Sequence, residues 1–202
     1  MYNPSPFNLK NDELSLELIQ EYPLGLLISP ILGQSLPIAN FYPFVEEWEE
    51  GQLFITTHLA KNNKQWKDIH QNKVLVQFQG PSGYVSPSIY KNPLNVPTWN
   101  YCTVAIEGEA QIISSQHEIR RILNVMTTHF EKMNNTKWKS QLPEEFNNKL
   151  EKGILGIRVK VDQIEGKFKM SQNRDLDDYA EVTRFFESKD HKLSQWLKKT
   201  KK

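Results

Sequence analysis

Apolar and polar positions alternate along this chain with two periods, and the strand period is the commoner. Leu53, Ile55 and Thr57 face one way in the run Gln52–His58, with Phe54, Thr56 and His58 facing the other. Val74, Val76 and Phe78 repeat that pattern against Leu75, Gln77 and Gln79, and Gly80-Pro81-Ser82-Gly83 reads as a turn by composition. Leu24 to Ser29 and Leu36 to Val45 are apolar runs joined by turn residues around Gly33. Trp99 to Ile113 reads as a long strand bent near Gly108, and Leu155, Ile157, Val159 and Val161 mark a final strand.

The helical period appears between these runs. Asn11-Asp12-Glu13 opens a helix carrying Leu14, Leu18 and Ile19, which Tyr22-Pro23 stops. Ser115 and Glu118 are spaced as a capping box before Ile119, Ile122, Leu123, Met126, Phe130 and Met133. Pro143 opens a short helix with Phe146 and Leu150, and Leu176, Tyr179, Val182 and Phe186 suggest another. Several short strands with few helices, and no strand–helix–strand alternation, predict a mainly β protein built on a small barrel with peripheral helices.

Composition narrows the function classes. The chain has 202 residues, 38% hydrophobic and 11% aromatic, enough for one large domain and unlike a disordered chain. The net charge of +1 gives no global attraction to nucleic acid or membrane. A lone cysteine, Cys102, forms no intramolecular disulfide and reads as a small core residue. The N-terminal segment lacks the basic start and apolar stretch of a signal peptide, so a cytoplasmic protein is expected. The five histidines are dispersed, and the glycine-rich nucleotide loops and the His-Glu-x-x-His metal motif are absent from the sequence.

Three segments stand out as candidate chemistry. Thr56 to Trp66 runs a strand into a loop dense in donors, suited to a phosphate or equally to a solvated turn. Gly80 to Tyr90 with Val96 to Tyr101 concentrates aromatics and prolines, as an interface, a lid or a stiff surface loop would. Ile164 to Arg174 gathers Lys167, Lys169 and Arg174 with amides and hydroxyls, fitting an anion site or a solvent-exposed hairpin and helix cap. A basic C-terminal helical tail is expected from about residue 188, and beyond Trp196 it holds Lys198, Lys199, Lys201 and Lys202, whose simplest reading is a frayed, solvated terminus.

Taken in order, these segments resemble the PaiB-like family of FMN-binding negative transcriptional regulators. Met1, Tyr2, Pro4 and Phe7 match its opening; His58, Ala60, Asn63, Gln65 and Trp66 match its next block. Gly80-Pro81, Tyr84 to Ser88, Tyr90, Val96 to Tyr101, and Glu165 to Lys169 with Ser171 to Arg174 match the rest. The resemblance implies an FMN-binding split barrel, a six-stranded Greek-key barrel forming homodimers with flavin at the subunit interface. It further implies that cofactor contacts come from Thr56, Thr57, His58, Lys61, Asn62, Asn63, Gln65, Trp66, Tyr84, Ser86, Trp99, Lys169, Ser171, Gln172 and Arg174. The phosphate is expected at the end of the Gln52–His58 strand, on Thr56 or Thr57, Lys61, Asn62 and Asn63.

The chain departs from the family at several positions. Asn40-Phe41-Tyr42 replaces Thr-His-Leu, Ser82 replaces His, Ile89 replaces Trp, Thr57 replaces Gly, Lys64 replaces Pro, and Lys61 replaces Arg. Three functions follow as expectations: a dimeric flavin-binding regulator, a flavin-dependent oxidoreductase, or an interaction module without flavin. No helix-turn-helix pattern supports direct DNA contact, so regulation is expected through a small molecule or a partner. The dimer is expected to use Tyr84–Tyr90 and Val96–Tyr101.

Overall fold

The computed structural model describes residues 1–8, 10–31, 33 and 35–201. Its strands are β1 (Leu24–Ser29), β2 (Ile38–Pro43), β3 (Val45–Glu49), β4 (Gln52–Ala60), β5 (Lys73–Val85), β6 (Thr98–Ile113) and β7 (Ile154–Lys169). They form one sheet in the order β2-β1-β5-β6-β7-β4-β3. The pairings β1–β2, β1–β5, β3–β4 and β4–β7 are all antiparallel. The helices are α1 (Asp12–Glu21), α2 (Trp66–Ile69), α3 (Gln116–Met133), α4 (Glu144–Glu151), α5 (Leu176–Lys189) and α6 (His191–Thr200). A mainly β protein with peripheral helices is therefore observed, with seven strands where the resemblance implied six. Among the described residues, no helix is long and apolar enough to cross a membrane.

The chain forms two compact units. The first comprises Met1–Tyr22, Phe78–Ala105 and Glu165–Lys202. Asn11 caps α1 by accepting a hydrogen bond from the Leu14 amide, as the sequence predicts, and Leu14, Leu18 and Ile19 are buried. Glycines 80 and 83, expected in a turn, lie inside β5. Their role is close approach: a Cβ on Gly80 would sit 2.6 Å from Cys102 Sγ, and one on Gly83 would sit 2.6 Å from Leu193 Cδ2. Cys102 is completely buried, and burial pushes its thiol pKa up, which keeps it protonated and inert.

The basic terminus is not frayed. It forms α6, capped by Asp190, with Leu193, Trp196 and Leu197 completely buried. The Trp196 ring stacks on Phe168 at 6.0 Å, and its Nε1 donates to Glu21 at 3.2 Å. Lys198 pairs with Glu187 at 2.5 Å and Lys199 with Glu17 at 2.6 Å. Two of the four tail lysines are thus neutralised within the unit, and Lys202 lies outside the described residues. Composition made the tail look solvated because the lysines outnumber the apolar residues, while the decisive apolar groups recur at helical spacing.

The second unit comprises Pro23–Gln77 and Ile106–Ile164. Leu36 to Val45, expected as one strand, is divided into β2 and β3 around Phe44, which is buried to 1% exposure and donates its backbone N–H to Pro23 O. Gly33 takes a left-handed φ of 78° in its turn, and its neighbours 32 and 34 lie outside the described residues. The capping-box helix forms as α3, yet the Ser115 side chain makes no capping hydrogen bond. Glu118 instead accepts from Arg121 Nε at 3.0 Å, one turn along. On its inner face Ile122 and Met126 cluster with Val45. Gly156 of β7 admits α3 closely, since a Cβ there would stand 2.6 Å from Ile122 Cδ1.

Candidate functional site

The expected contact residues fall into two groups, one in each unit. In the second unit, β4 pairs with β7 so that Thr56 opposes Arg158 and His58 opposes Gly156. Thr56 and His58 face α3. Thr56 Oγ1 donates to Glu47 Oε2 at 2.5 Å, and Arg121 Nη1 donates to the other oxygen of that carboxylate. Burial raises the Glu47 pKa, but the hydrogen bonds from Arg121 and Thr56 outweigh it and hold the carboxyl below the usual range. His58 Nδ1 lies 3.4 Å from Met126 Sδ, and burial lowers the ring's pKa. A neutral imidazole against a thioether is a packing contact.

Thr57 points to the opposite face and is completely buried, with an Oγ1 that meets no partner among the described residues. A carboxylate beside Thr56 repels phosphate, and burial seals Thr57. Neither hydroxyl is open to a ligand.

The loop after β4 is organised by Gln65, which is 2% exposed. Gln65 Oε1 accepts from Asn40 Nδ2 and from the Tyr42 hydroxyl, both at 2.9 Å. Gln65 Nε2 donates to Ser29 Oγ at 3.0 Å and Leu27 O at 3.2 Å. Asn63 Nδ2 donates to the Tyr42 hydroxyl at 2.7 Å, and Asn63 Oδ1 accepts the Gln65 amide. Trp66 Nε1 donates to Lys61 O at 3.0 Å. Asn63, Gln65 and Trp66 thus shape the loop, and Asn40 and Tyr42, two of the departures from the family, belong to the same network.

What remains open is Lys61 with its neighbour Asn62, both exposed. The Lys61 ammonium donates to Lys152 O at 2.6 Å and meets no carboxylate within 4.0 Å among the described residues. An unneutralised cation on a loop fixed from below can receive an anion.

In the first unit, Lys169 at the end of β7 donates to Thr98 Oγ1 and, at 2.8 Å, to Trp99 O. Burial lowers the Lys169 pKa, and the neighbouring Arg174 and Lys167 charges lower it further. Ser171 Oγ and the Asn100 side chain exchange hydrogen bonds at 3.0 and 3.1 Å, both residues buried. Gln172 accepts from the Met170 amide at 2.6 Å and donates to Phe168 O, so Ser171 and Gln172 fold the turn after β7. Ser86 caps the short helical turn Pro87–Ile89. Tyr84 and Trp99 meet edge to face at 6.1 Å and remain 49% and 55% exposed. The unit therefore presents an exposed aromatic pair together with a cluster of like charges.

Residues 1–163 match the family described as "Putative FMN-binding domain". The "Protease synthase and sporulation protein PAI 2" of Bacillus subtilis is 36% identical over 185 residues, 90% of this chain and 87% of that protein. The chain belongs to the PaiB-like FMN-binding-domain family.

Solved structures agree on the fold. A "putative 5-nitroimidazole antibiotic resistance protein" of Bacteroides thetaiotaomicron superposes with a TM-score of 0.60 at 14% identity, over 79% of this chain and 85% of that one. An "FAD and Heme binding protein" of Mycobacterium smegmatis gives 0.55 at 15% identity, over 79% of this chain and 71% of that one. The fold is of the split-barrel type. The family match contains the β4 loop, Tyr84, Ser86 and Trp99, while Lys169, Ser171, Gln172 and Arg174 lie beyond it. In the second unit the donor set at Lys61 and Asn62 fits an anionic group such as a phosphate; separately, in the first unit, the Tyr84–Trp99 pair offers aromatic surface. Gln65 is among the contacts the resemblance implies, and its part as the hub of the loop emerges from the packed side chains.

Proposed function

We propose that this chain is a cytoplasmic, homodimeric FMN-binding protein of the PaiB-like regulators, with the flavin phosphate received at Lys61 and the dimer formed through Tyr84–Tyr90 and Val96–Tyr101. The observation that carries the reading is the Lys61 ammonium, held without a carboxylate partner among the described residues on a loop that Gln65 braces, inside the family-matched segment. When bound, FMN would supply a redox-active or signalling chromophore. The chain's own part is to hold the phosphate and cover the ring. The flavin named in the Mycobacterium smegmatis relative's description supports the cofactor class.

The dimer reading draws on the exposed Tyr84, Trp99, Val96 and Leu94, an apolar surface on a proline-stiffened segment that association would bury at small entropic cost. Regulation through a partner or small molecule fits the ion pairs that occupy Lys198 and Lys199, which neutralise two of the tail's four lysines. The test is the visible spectrum of the pure protein before and after FMN addition and desalting, with sedimentation at micromolar concentration. Retained flavin absorbance in a dimer is expected. A colourless protein after desalting would overturn the flavin reading, and a monomer would overturn the interface.

A further inference from the structure

A cavity of the first unit shares Gln172 and Arg174 with the contacts that the resemblance implies, while its other walls lie outside them. The cavity, of about 280 Å³, is lined by Ser5, Gln172, Arg174, Leu176, Tyr179 and Lys201, among others. Two of its walls are cations. The Arg174 guanidinium lies 4.8 Å above the Tyr90 ring, and its Nη1 donates to Asn95 Oδ1. Asn95 is itself held by Asp178, to whose Oδ2 its Nδ2 donates at 2.8 Å. The Lys201 ammonium lies 4.6 Å from the Tyr179 ring centroid. Among the described residues, neither cation meets a carboxylate within 4.0 Å, although five ion pairs engage four lysines of this unit with acids.

The nearby acids are committed elsewhere. Asp175 caps α5 by accepting from the Asp178 amide at 2.8 Å, Asp177 pairs with Lys91 at 3.3 Å, and Asp178 accepts the Lys91 and Asn92 amides. Two cations thus remain uncompensated in one concavity, each braced on an aromatic face. An anion entering there would meet two positive charges, neither paired with a carboxylate among the described residues. The fork of Arg174 suits a planar or tetrahedral oxyanion, and Tyr179 and Leu176 offer apolar area beside it.

We propose that this cavity is a binding site for a small oxyanion, the carboxylate or phosphate group of a metabolite, held between Arg174 and Lys201. Its volume of about 280 Å³ admits a small metabolite. Gln172 and Arg174 stand among the residues that the family resemblance assigns to the cofactor, whereas Lys201 and Ser5 do not. Lys201 closes the end of α6, so occupancy would tie that helix to the β7–α5 turn carrying Arg174.

The experiment titrates inorganic phosphate and succinate separately into the full chain, following heat of binding and melting temperature at constant ionic strength, with chloride as the control. Wild type is expected to bind at least one of them saturably with a rise in melting temperature. Lys201→Glu should weaken that binding about tenfold or more, the scale of a lost charge-assisted hydrogen bond. FMN uptake by Lys201→Glu, read from the visible spectrum, should equal that of wild type, and its melting temperature without added anion checks the fold. No saturable binding, a response matched by chloride, or undiminished binding in Lys201→Glu would each overturn the site. Parallel loss of FMN uptake would instead make the cavity part of a flavin site and overturn it equally.

Discussion

Replacing Lys61 with alanine isolates the phosphate term in the flavin reading. The ammonium is exposed and, among the described residues, donates only to Lys152 O at 2.6 Å, so its removal leaves a carbonyl that water can satisfy. The loop itself is held by Gln65, Asn63 and Trp66, none of which bonds to the Lys61 ammonium. Folding stability should therefore change by less than about 0.5 kcal/mol, the range of ordinary surface substitutions. A charge-assisted hydrogen bond to phosphate contributes about 1.5–3 kcal/mol. At 1.4 kcal/mol per decade, FMN affinity falls roughly tenfold to a hundredfold. Riboflavin, which lacks the phosphate, should bind wild type and variant alike, and Lys61→Arg should recover most of the FMN affinity. Fluorescence titration of both ligands reads this directly. Equal losses for FMN and riboflavin would show that Lys61 acts through packing, and unchanged FMN affinity would remove the phosphate from the β4 loop.

Two further perturbations test the frame around the sites. Trp196→Ala should destabilise the protein by about 3–5 kcal/mol, or about 6–20 °C in Tm, because a completely buried indole loses its stack on Phe168 and its hydrogen bond to Glu21; a melt within about 2 °C of wild type would show α6 to be dispensable. The lowered Glu47 pKa means that its contribution to stability is full above the ordinary glutamate range and is lost as pH falls through the folded-state value. Glu47→Gln should accordingly be less stable than wild type at neutral pH, with the difference narrowing under acid, and a pH-independent difference in denaturant midpoint would refute the assignment.

The period of the hydrophobic pattern carried most of the fold. β4 and α3 lie where alternation and helical spacing put them, because each buries one face and the pattern reports burial. The errors cluster where a residue type has two physical uses. Gly80 and Gly83 were legible as turn formers, yet inside β5 they serve as places where a Cβ would collide with Cys102, Leu193 and Phe186, a fact that exists only once those side chains are packed. Ser115 has the right neighbour for a capping box, but Arg121 competes for Glu118 and the reciprocal bond does not form. Local signals state what a residue can do, and tertiary partners decide which use prevails.

The candidate site was legible to a smaller depth, for a related reason. Sequence spacing placed Thr56, Lys61, Asn63 and Gln65 in one segment and gave them one role. Packing separates them into a hydroxyl spent on Glu47, a hub that fixes the loop, and one cation left over. A strand that alternates faces sends Thr56 and Thr57 in opposite directions. The departures at Asn40 and Tyr42 follow the same logic. Both donate to Gln65 Oε1, so the side chains that stand where the family carries a hydroxyl, a histidine and a leucine include two that brace the loop from β2. Substituting either should therefore loosen the loop that aims Lys61 and leave the charge in place. In this chain the anion-receiving group and the groups that position it are different residues, and only the first could be named from its chemistry alone.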